Sequence, residues 1–551
     1  MKSHTWKPGT ESSESSMQLD DLLKALKPGT VYHPINEAPP VKNIWISGIC
    51  SDSRLAGSGS LFVAVRGESH DGHEYISEAM NKGAVAVIAE NAPAGTGLAM
   101  ELTSTAVGKG HRGASGAAWI QVPDSRLALA QVAAQFYRHP SRHLSLVGIT
   151  GTSGKTTTSC LLHHIYESAG LTAGLIGTVK VHCSRQSWPA KMTTPDALEL
   201  QRLLRLMVDS GVSHGAMEVS SHGLSQKRVD EISFRGAVFT NIAPNHLDFH
   251  QTLKAYVDAK GRLASLVEDG GFILVNGDDS HFKNLPGRAE VLRISLGTNR
   301  DCDVLIKHLF VGKEGGSFQL SPQRPSAFQE GLTRNLSGYT FKTPLLGKHN
   351  VLNAAAAAVS ALLTGVSEDE VIRGLATFPG VERRLNSYQL KDLHVIDDTA
   401  MSPGSIHAVF HTLKELSLAR SPVIVAYALR GRRGTQVNED NGRALAGWIK
   451  SLEIEHFITT NSTECVDDGN TVLPEEEKAF FQGARTTGAT PTHFSTLEEA
   501  LERAVQVATP GAVLLLLGAQ GMDDGWKMLQ NLLPEKGSTG TGSTGTVLLL
   551  P

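Results

Sequence analysis

Cysteine is scarce and poorly placed for cross-linking. Only five occur among 551 residues, at Cys50, Cys160, Cys183, Cys302 and Cys465, and no two form a Cys-x-x-Cys pair. That argues against a disulfide framework or a cysteine zinc site and fits a reducing compartment. An excess of one charge is also missing: Lys plus Arg total 51, Asp plus Glu 55, for a net charge of -4. Bulk charge therefore gives no support for binding nucleic acid or coating an acidic membrane, although a local basic pocket for a phosphorylated small molecule stays open. Long apolar runs are absent too. The run Ala512 to Leu517 near the C-terminus is far short of the ~20 residues that span a bilayer. The first residues, Met1 to Ser16, lack the apolar core of a secretory signal. The expectation is a cytoplasmic protein with small-molecule substrates, no nucleic-acid partner and no membrane insertion.

What is present is ordinary for a globular chain: 40% hydrophobic and 19% charged residues. At about 100–200 residues per domain the length implies roughly three domains. Composition breaks place them. Residues 1–16 read as a disordered extension, 17–143 as an N-terminal domain, 144–378 as a central one, 379–534 as a C-terminal one and 535–551 as a flexible tail. Asn91–Gly116 is Gly- and Ala-rich without periodicity and reads as a surface loop. Tyr137–His143 reads as a linker, and Phe378–Arg384 as a Pro-Gly break. Apolar runs such as "LSLVGIT", "GAVFTNI", "GFILVNGD", "LHVIDD", "PVIVAYAL" and "AVLLLLGAQG" alternate with helical stretches such as "NAAAAAVSALL". That alternation predicts α/β domains with mostly parallel sheets and helices on both faces.

One further absence is more specific. The common phosphate-loop pattern needs a glycine five residues before its Gly-Lys-Ser/Thr, and that position is Ile149. The glycine stands at 151 instead, giving Gly151-Thr152-Ser153-Gly154-Lys155-Thr156. A Gly-rich turn between strand and helix offers backbone N–H groups and the positive end of a helix dipole to an anion. Lys155 adds a charge for the phosphates, and the Thr156 hydroxyl suits Mg²⁺. A Gly-Thr-rich turn with an exposed lysine is the plain alternative; the strand before and the helix after favour nucleotide binding.

The short spacing in "TGTSGKTTT" resembles the ATP loop of the Mur ligase family. Further segments agree in order: "TTPDALELQRLL", "MEVSSHGLSQKRVD", "FTNIAPNHLDFHQTLKAYVDAKGRL" and "LLGKHNVLNAAAA". The segment Ser51–Glu90 resembles the uridine-binding domain of the branch that adds the third amino acid of the peptidoglycan stem peptide, the UDP-N-acetylmuramoyl-tripeptide synthetases. The resemblance runs from about Met17 to about Leu532. It implies three α/β domains: an N-terminal domain for the UDP-substrate, a central P-loop ATPase-like domain and a C-terminal Rossmann-like ligase domain. It also implies ATP and Mg²⁺, a UDP-muramoyl dipeptide and an amino acid as substrates, an acyl-phosphate intermediate and a monomer.

The resemblance further assigns residues. Gly151, Thr152, Ser153, Gly154, Lys155, Thr156 and Thr157 would hold ATP, with Asn350 and Asn353 on the adenine side, Arg384 reaching the phosphates and Asp398 near the ribose. Thr156, Glu218 and His246 would ligate metal. Lys155, Glu218, His246 and Lys260 would form the catalytic set, with Lys260 carried as a carbamate (N6-carboxylysine). Ser53 and Arg54 would contact uridine; Thr193, Thr194, Ser220 and Arg228 would contact the diphosphate and peptide. Taken singly, each is better read as a cap, a loop histidine or a solvated lysine.

The chain departs from the family in its last third. Where members commonly read Asp-Tyr-Ala-His-x-Pro, this chain has Asp398-Thr399-Ala400-Met401-Ser402-Pro403. The Asp-Asn-Pro-Arg motif of diaminopimelate-adding members is replaced within Phe457–Asn470, and Gly-Lys-Gly-His-Glu by Gly518-Ala519-Gln520-Gly521-Met522-Asp523. The expectation is an intact ATP engine with a rewritten acceptor pocket, one that favours L-lysine or L-ornithine over diaminopimelate and pairs Glu464, Asp467 or Asp468 with the acceptor's ammonium. Two other functions stay open from sequence: a Mur-like ligase acting on a non-peptidoglycan carboxylate, and a non-catalytic nucleotide-binding regulator.

Overall fold

The computed structural model describes residues 16–534 except 27–30, 35–40, 68–69, 92–116, 287–289 and 324–335. Expectations for the N-terminal extension, the Asn91–Gly116 loop and the tail fall almost wholly outside the described residues. The apolar run ahead of the glycine loop forms the strand Ser145–Thr150, buried everywhere but at Ser145. A strand covered on both faces reads as a continuous apolar run, as here. It lies in the middle of an eleven-stranded sheet. Seven strands run parallel, in the spatial order Ala173–Ile176, His214–Glu218, Ser145–Thr150, Phe234–Phe239, Val267–Asn276, Leu292–Gly297 and Val304–Gly312. Lys348–Leu363 and Lys155–Ser168 pack on one face through Val351, Ala354, Leu161, Leu162 and Ile165. Ala197–Asp209 and Leu253–Gly261 cover the other through Leu200, Leu204, Met207 and Tyr256. Each such buried aliphatic side chain contributes about 1.5–3 kcal/mol, so packing on the two faces holds the sheet more than local propensity does.

The connections place the site. From Ser145–Thr150 the chain crosses to Ala173–Ile176 and returns to His214–Glu218 between them. It then moves to the opposite side with Phe234–Phe239. Connections on the two sides diverge at the end of the first strand, where open parallel sheets bind ligands.

The N-terminal five-stranded sheet runs Val31–Pro34, Ala118–Gln121, Ala86–Ala89, Ser60–Val63, Gly48–Cys50, parallel except for the first strand. The C-terminal six-stranded sheet runs Asn386–Leu390, Leu393–Asp398, Val513–Leu517, Val423–Ala428, His456–Thr460, Thr492–Phe494, parallel except for its first strand. The expected α/β class with parallel sheets therefore describes all three units. Two details differ. Both ends of the central sheet are antiparallel, through Lys180–Cys183 and Gln186–Pro189 at one end and Gly315–Pro322 and Phe341–Thr343 at the other. The expected linker Tyr137–His143 is a pinned junction: Pro140–His143 makes one 3₁₀ turn, and the buried Ser141 hydroxyl accepts from the Ser233 amide at 3.0 Å. Lys227 and Asp124 add an ion pair across the same junction.

Candidate active site

The glycine loop is shaped by close approach. Gly151 has φ 149°, and a Cβ there would stand 1.9 Å from the Thr240 hydroxyl; Gly154 has φ 85°, and a Cβ there would meet Asn353 Oδ1 at 2.4 Å. Only glycine suits both positions. The loop is fastened from the next strand. Thr240 Oγ1 donates to Ser153 O at 2.6 Å, Asn241 Nδ2 donates to the same oxygen at 2.9 Å, and the Ser153 amide donates to Asn241 Oδ1 at 3.0 Å. Thr152 Oγ1 sits between the Ala243 backbone and the Tyr256 hydroxyl. The helix Lys155–Ser168 then starts with its free amides at the loop. Thr157 is buried behind it.

Four groups converge beside the loop. Thr156 Oγ1 donates to Glu218 Oε2 at 2.9 Å. Glu218, 1% exposed at the end of its strand, also accepts from the Thr178 amide at 2.7 Å and the Thr178 hydroxyl at 3.0 Å. A carboxylate meeting a hydroxyl, both hard oxygen donors, fits Mg²⁺. Lys155 Nζ folds back to the carbonyls of Gly151 (2.9 Å) and Thr152 (3.0 Å). Lys260, 2% exposed, donates to the same Gly151 carbonyl at 2.8 Å and lies 4.5 Å over the Tyr256 ring. Burial, and then the charge of Lys155, hold the Lys260 ammonium well below the usual lysine range. Burial also lowers Lys155, with Glu218 opposing and Arg384 assisting.

A cavity of about 560 Å³ opens next to these groups, lined by Lys155, Thr193, Thr194, Ser220, Arg228 and His246, together with Met192, His222, Gln226, Gly67 and Arg126. Six expected site residues thus share one space, and two residues of the N-terminal unit close it. Thr194 Oγ1 bridges Glu218 O (3.0 Å) and the Ser220 amide (2.9 Å), Ser220 Oγ caps the next helix at Gly223, and Arg228 Nη1 donates to Thr194 O at 2.7 Å. The expected capping role and a cavity-lining position coexist. His246, exposed with φ 53°, stands edge-on to His222, ring centroids 4.8 Å apart. Ser53 and Arg54 do not line this cavity. Ser53 Oγ donates to Glu78 and Arg54 pairs with Asp52 in the N-terminal unit.

On the C-terminal side, Asn353 Nδ2 donates to Asn350 Oδ1 at 3.2 Å, next to Gly154, while Asn350 holds Leu346 O. Arg384 bonds Arg383 O and the Thr399 hydroxyl, and its charge reaches Lys155 and Asp398. Asp398 is committed locally: its two oxygens accept from the Leu385 amide (2.9 Å) and the Ala400 amide (2.7 Å), and burial raises its pKa against the pull of Arg384. Its neighbour Arg383 is buried, pairs with Asp397 at 3.1 Å and with Asp523, and donates to Gly518 O. Burial, only partly offset by Arg383, raises Asp397 to about 6.

Two of the expected partners for an acceptor ammonium have one oxygen engaged locally. Glu464 Oε1 accepts from the Leu497 and Glu498 amides, capping a helix, and Asp467 Oδ1 accepts from Asn470. Residues missed from sequence include Thr178, Asn241, Tyr256, His222, Gln226 and Arg126. His222 and Gln226 lie within "MEVSSHGLSQKRVD", and Asn241 and Tyr256 within "FTNIAPNHLDFHQTLKAYVDAKGRL", so the motifs contained them without singling them out; Thr178 and Arg126 lie in none.

Three sequence-family models match the chain: "Mur ligase middle domain" over residues 149–361, "Mur ligase family, catalytic domain" over 45–137, and "Mur ligase, glutamate ligase domain" over 383–520. A UDP-N-acetylmuramoyl-L-alanyl-D-glutamate--2,6-diaminopimelate ligase of Chlorobaculum tepidum is 31% identical over 507 residues, covering 91% of this chain and 92% of the relative. A UDP-N-acetylmuramyl-tripeptide synthetase of Roseiflexus sp. is 30% identical over 519 residues, covering 91% and 94%. Among solved structures, a UDP-N-acetylmuramoylalanyl-D-glutamyl-2,6-diaminopimelate--D-alanyl-D-alanyl ligase from Acinetobacter baumannii matches with TM-score 0.59 at 22% identity, covering 94% and 99%. At that identity the likeness speaks for the fold.

Proposed function

The chain belongs to the Mur ligase family, and from that premise we propose that it joins an amino acid to UDP-N-acetylmuramoyl-L-alanyl-D-glutamate, using ATP, in peptidoglycan synthesis. The observation that carries this is the shared cavity. Lys155, at the end of the loop that suits phosphates, and Thr193, Thr194, Ser220 and Arg228 line one space, and the Thr156–Glu218 pair lies behind it, tied to the wall by Thr194 Oγ1, which donates to Glu218 O. A phosphoryl donor and a carboxylate acceptor meet there. We take the domain limits to be 17–143, 144–378 and 379–534, and the location to be cytoplasmic, where ATP and UDP-linked substrates are available. Among the described residues no helix is long and apolar enough to cross a membrane.

A substrate carboxylate oxygen bonds to the γ-phosphorus and ADP leaves. The ammonium of the incoming amino acid loses one proton, the free amine bonds to the acyl carbon, phosphate leaves, and a second proton passes to solvent, leaving the amide N–H. Both steps concentrate negative charge. Lys155 and the amides at the start of its helix supply fixed positive potential. Arg228 and Arg126, at the cavity wall, orient the acyl substrate. Thr156, Glu218 and His246 are the residues to hold Mg²⁺, which when bound neutralises phosphate charge. Lys260 is the residue to be carbamylated: its depressed pKa leaves the neutral amine that adds CO₂, with loss of a proton, to give an anion. Arg384, whose charge reaches Lys155, is the hinge-side contact to ATP, with Asn350 and Asn353 toward the adenine and Asp398 shaping the turn by the ribose.

Several relatives are named for diaminopimelate, but in this chain the segment Thr459–Glu464 contains no arginine. For the acceptor we therefore propose an amino acid with a cationic tip and no distal carboxylate, L-lysine or L-ornithine. The test is phosphate release from ATP with UDP-muramoyl dipeptide and a panel of amino acids. Release that needs both the dipeptide and an amino acid supports a ligase. Release with neither, or nucleotide binding without turnover, removes it.

A further inference from the structure

Far from the cavity, the opposite end of the phosphate-loop helix carries His163 and Glu167, one turn apart and facing His182 on the strand Lys180–Cys183. One ligating atom from each residue lies within 4.8 Å of the other two. Glu167 Oε2 is 3.2 Å from His163 Nε2, and Glu167 Oε1 is 3.2 Å from His182 Nε2. Nitrogen and oxygen ligands about 2.0–2.1 Å from one tetrahedral ion stand about 3.3 Å apart, the spacing of His163 Nε2 and Glu167 Oε2; the His182 distance is to its proton-bearing Nε2, so the nitrogen His182 offers an ion is Nδ1. His163 is 4% exposed; its Nε2 faces Glu167, and its Nδ1 is buried with no hydrogen-bond partner. His182 Nε2 lies 2.6 Å from Ser184 O, which fixes a tautomer with the proton on Nε2 and a bare lone pair on Nδ1; that Nδ1 is buried without a partner. A ring nitrogen tied to a backbone carbonyl with the other left open is how proteins orient metal-bound histidine.

We propose that His163, Glu167 and His182 bind a zinc-type divalent cation. Two imidazoles and one carboxylate are its usual donor set, with a water completing the tetrahedron. Glu167 is the half-exposed member, so ion and water enter from its side. The other charged group acting on the cluster is Lys180, and His164 lies beside it. The ion is a clasp. It ties the far end of the phosphate-loop helix to the hairpin Lys180–Pro189, the edge of the sheet that leads on to Thr193 and Thr194. This site does not depend on the proposed reaction.

The experiment uses tag-free full-length protein stripped by chelator and titrated with Co²⁺, then Zn²⁺. One equivalent of Co²⁺ is expected to give the visible bands of four-coordinate cobalt, which Zn²⁺ abolishes, and Zn²⁺ is expected to raise the melting temperature. His182→Gln and Glu167→Gln, each melting as wild type in chelator, should lose both responses; His246→Gln should keep them. Glu167 lies at a half-exposed helix position, so its variant serves if His182→Gln does not fold. Absence of bands and of a melting shift in wild type means a plain ion pair and overturns the site. So do bands that survive in both cluster variants or vanish in His246→Gln.

Discussion

Two sheets of one construction use their carboxyl edges in opposite ways. At the central edge, polar groups point into open space: Lys155, Thr193, Ser220, Arg228 and His246 all line one cavity. At the C-terminal edge, the loops after Asp398, Leu517, Ala428 and Thr460 also meet, but their charges are spent on one another. Arg383 is clamped by Asp397 and Asp523. Glu476 accepts from the amides of Arg432, Arg433, Gly434 and Leu473. Glu464 caps a helix. The first edge ties its polar groups to neighbours around an open cavity, whereas the second uses its polar groups to hold loops that have no regular structure. The C-terminal edge is also where the chain departs from its family, so its loops are held by pairs particular to this sequence.

The comparison can be broken at its firmest point. Arg383→Ala leaves Asp397 buried without its counter-charge, and removing one partner of such a pair typically costs about 3–5 kcal/mol. Urea unfolding followed by the tryptophans of the C-terminal domain, Trp448 and Trp526, should show that loss. A loss under about 1 kcal/mol, the range of exposed pairs, would mean the edge is not held this way.

Lys155→Ala probes the open edge. Its rate should fall by about 10²–10³, with the melting temperature unchanged, because a charge aimed at ligand serves the transition state and not the fold. Product formation near the wild-type rate by the folded variant would remove the phosphate-loop assignment.

Lys260→Ala should lose about 10²-fold or more, in the same range as other electrostatic contacts, with partial recovery when a small carboxylate is added. The pH sense follows from the depressed pKa. Burial and Lys155 disfavour the ammonium of Lys260, and carbamylation needs the neutral amine and releases a proton, so acid opposes it twice. Carbamate content by mass spectrometry and activity should therefore fall together on acidification, and bicarbonate at fixed pH should restore both. Activity independent of CO₂ would rule the carbamate out.

The finest test concerns the acceptor. With L-lysine and diaminopimelate at equal concentration, lysine should be favoured by about tenfold or more, or about 1.4 kcal/mol. Arg430 is the residue able to reverse that. It sits at the C-terminal edge, donates to Met401 O at 3.2 Å, and its buried Nε has no partner. If diaminopimelate wins in wild type and loses in Arg430→Met, this arginine does the work of the absent motif.

Sequence legibility followed the same divide. Lys155, Thr156, Glu218, Thr194, Ser220 and Arg228 stand in contiguous motifs, and the chain brings them together. Thr178 was not legible, because its tie to Glu218 depends on a neighbouring strand forty residues away in sequence. Tyr256 and Asn241 were missed for the same reason. In the pair Arg383–Arg384 sequence pointed to the second; that the first is the buried anchor depends on its φ of 58° and on Asp523, 140 residues on. The antiparallel ends of the central sheet were hidden by short, polar strands such as Gln186–Pro189.

The Gly151 carbonyl, shared by two lysines, has a thermodynamic consequence. On the proposed assignment of this loop to the phosphates, the subsite contains a cation folded onto its own backbone, so nucleotide binding would be an exchange of partners and not a simple addition. Lys155 must release the Gly151 and Thr152 carbonyls before it turns to a phosphate. Measured ATP affinity is therefore the new contact less the old ones. Turning Lys260 from a cation into an anion would change the electrostatic field at that carbonyl, so occupancy of one lysine by CO₂ would alter how tightly the other holds nucleotide.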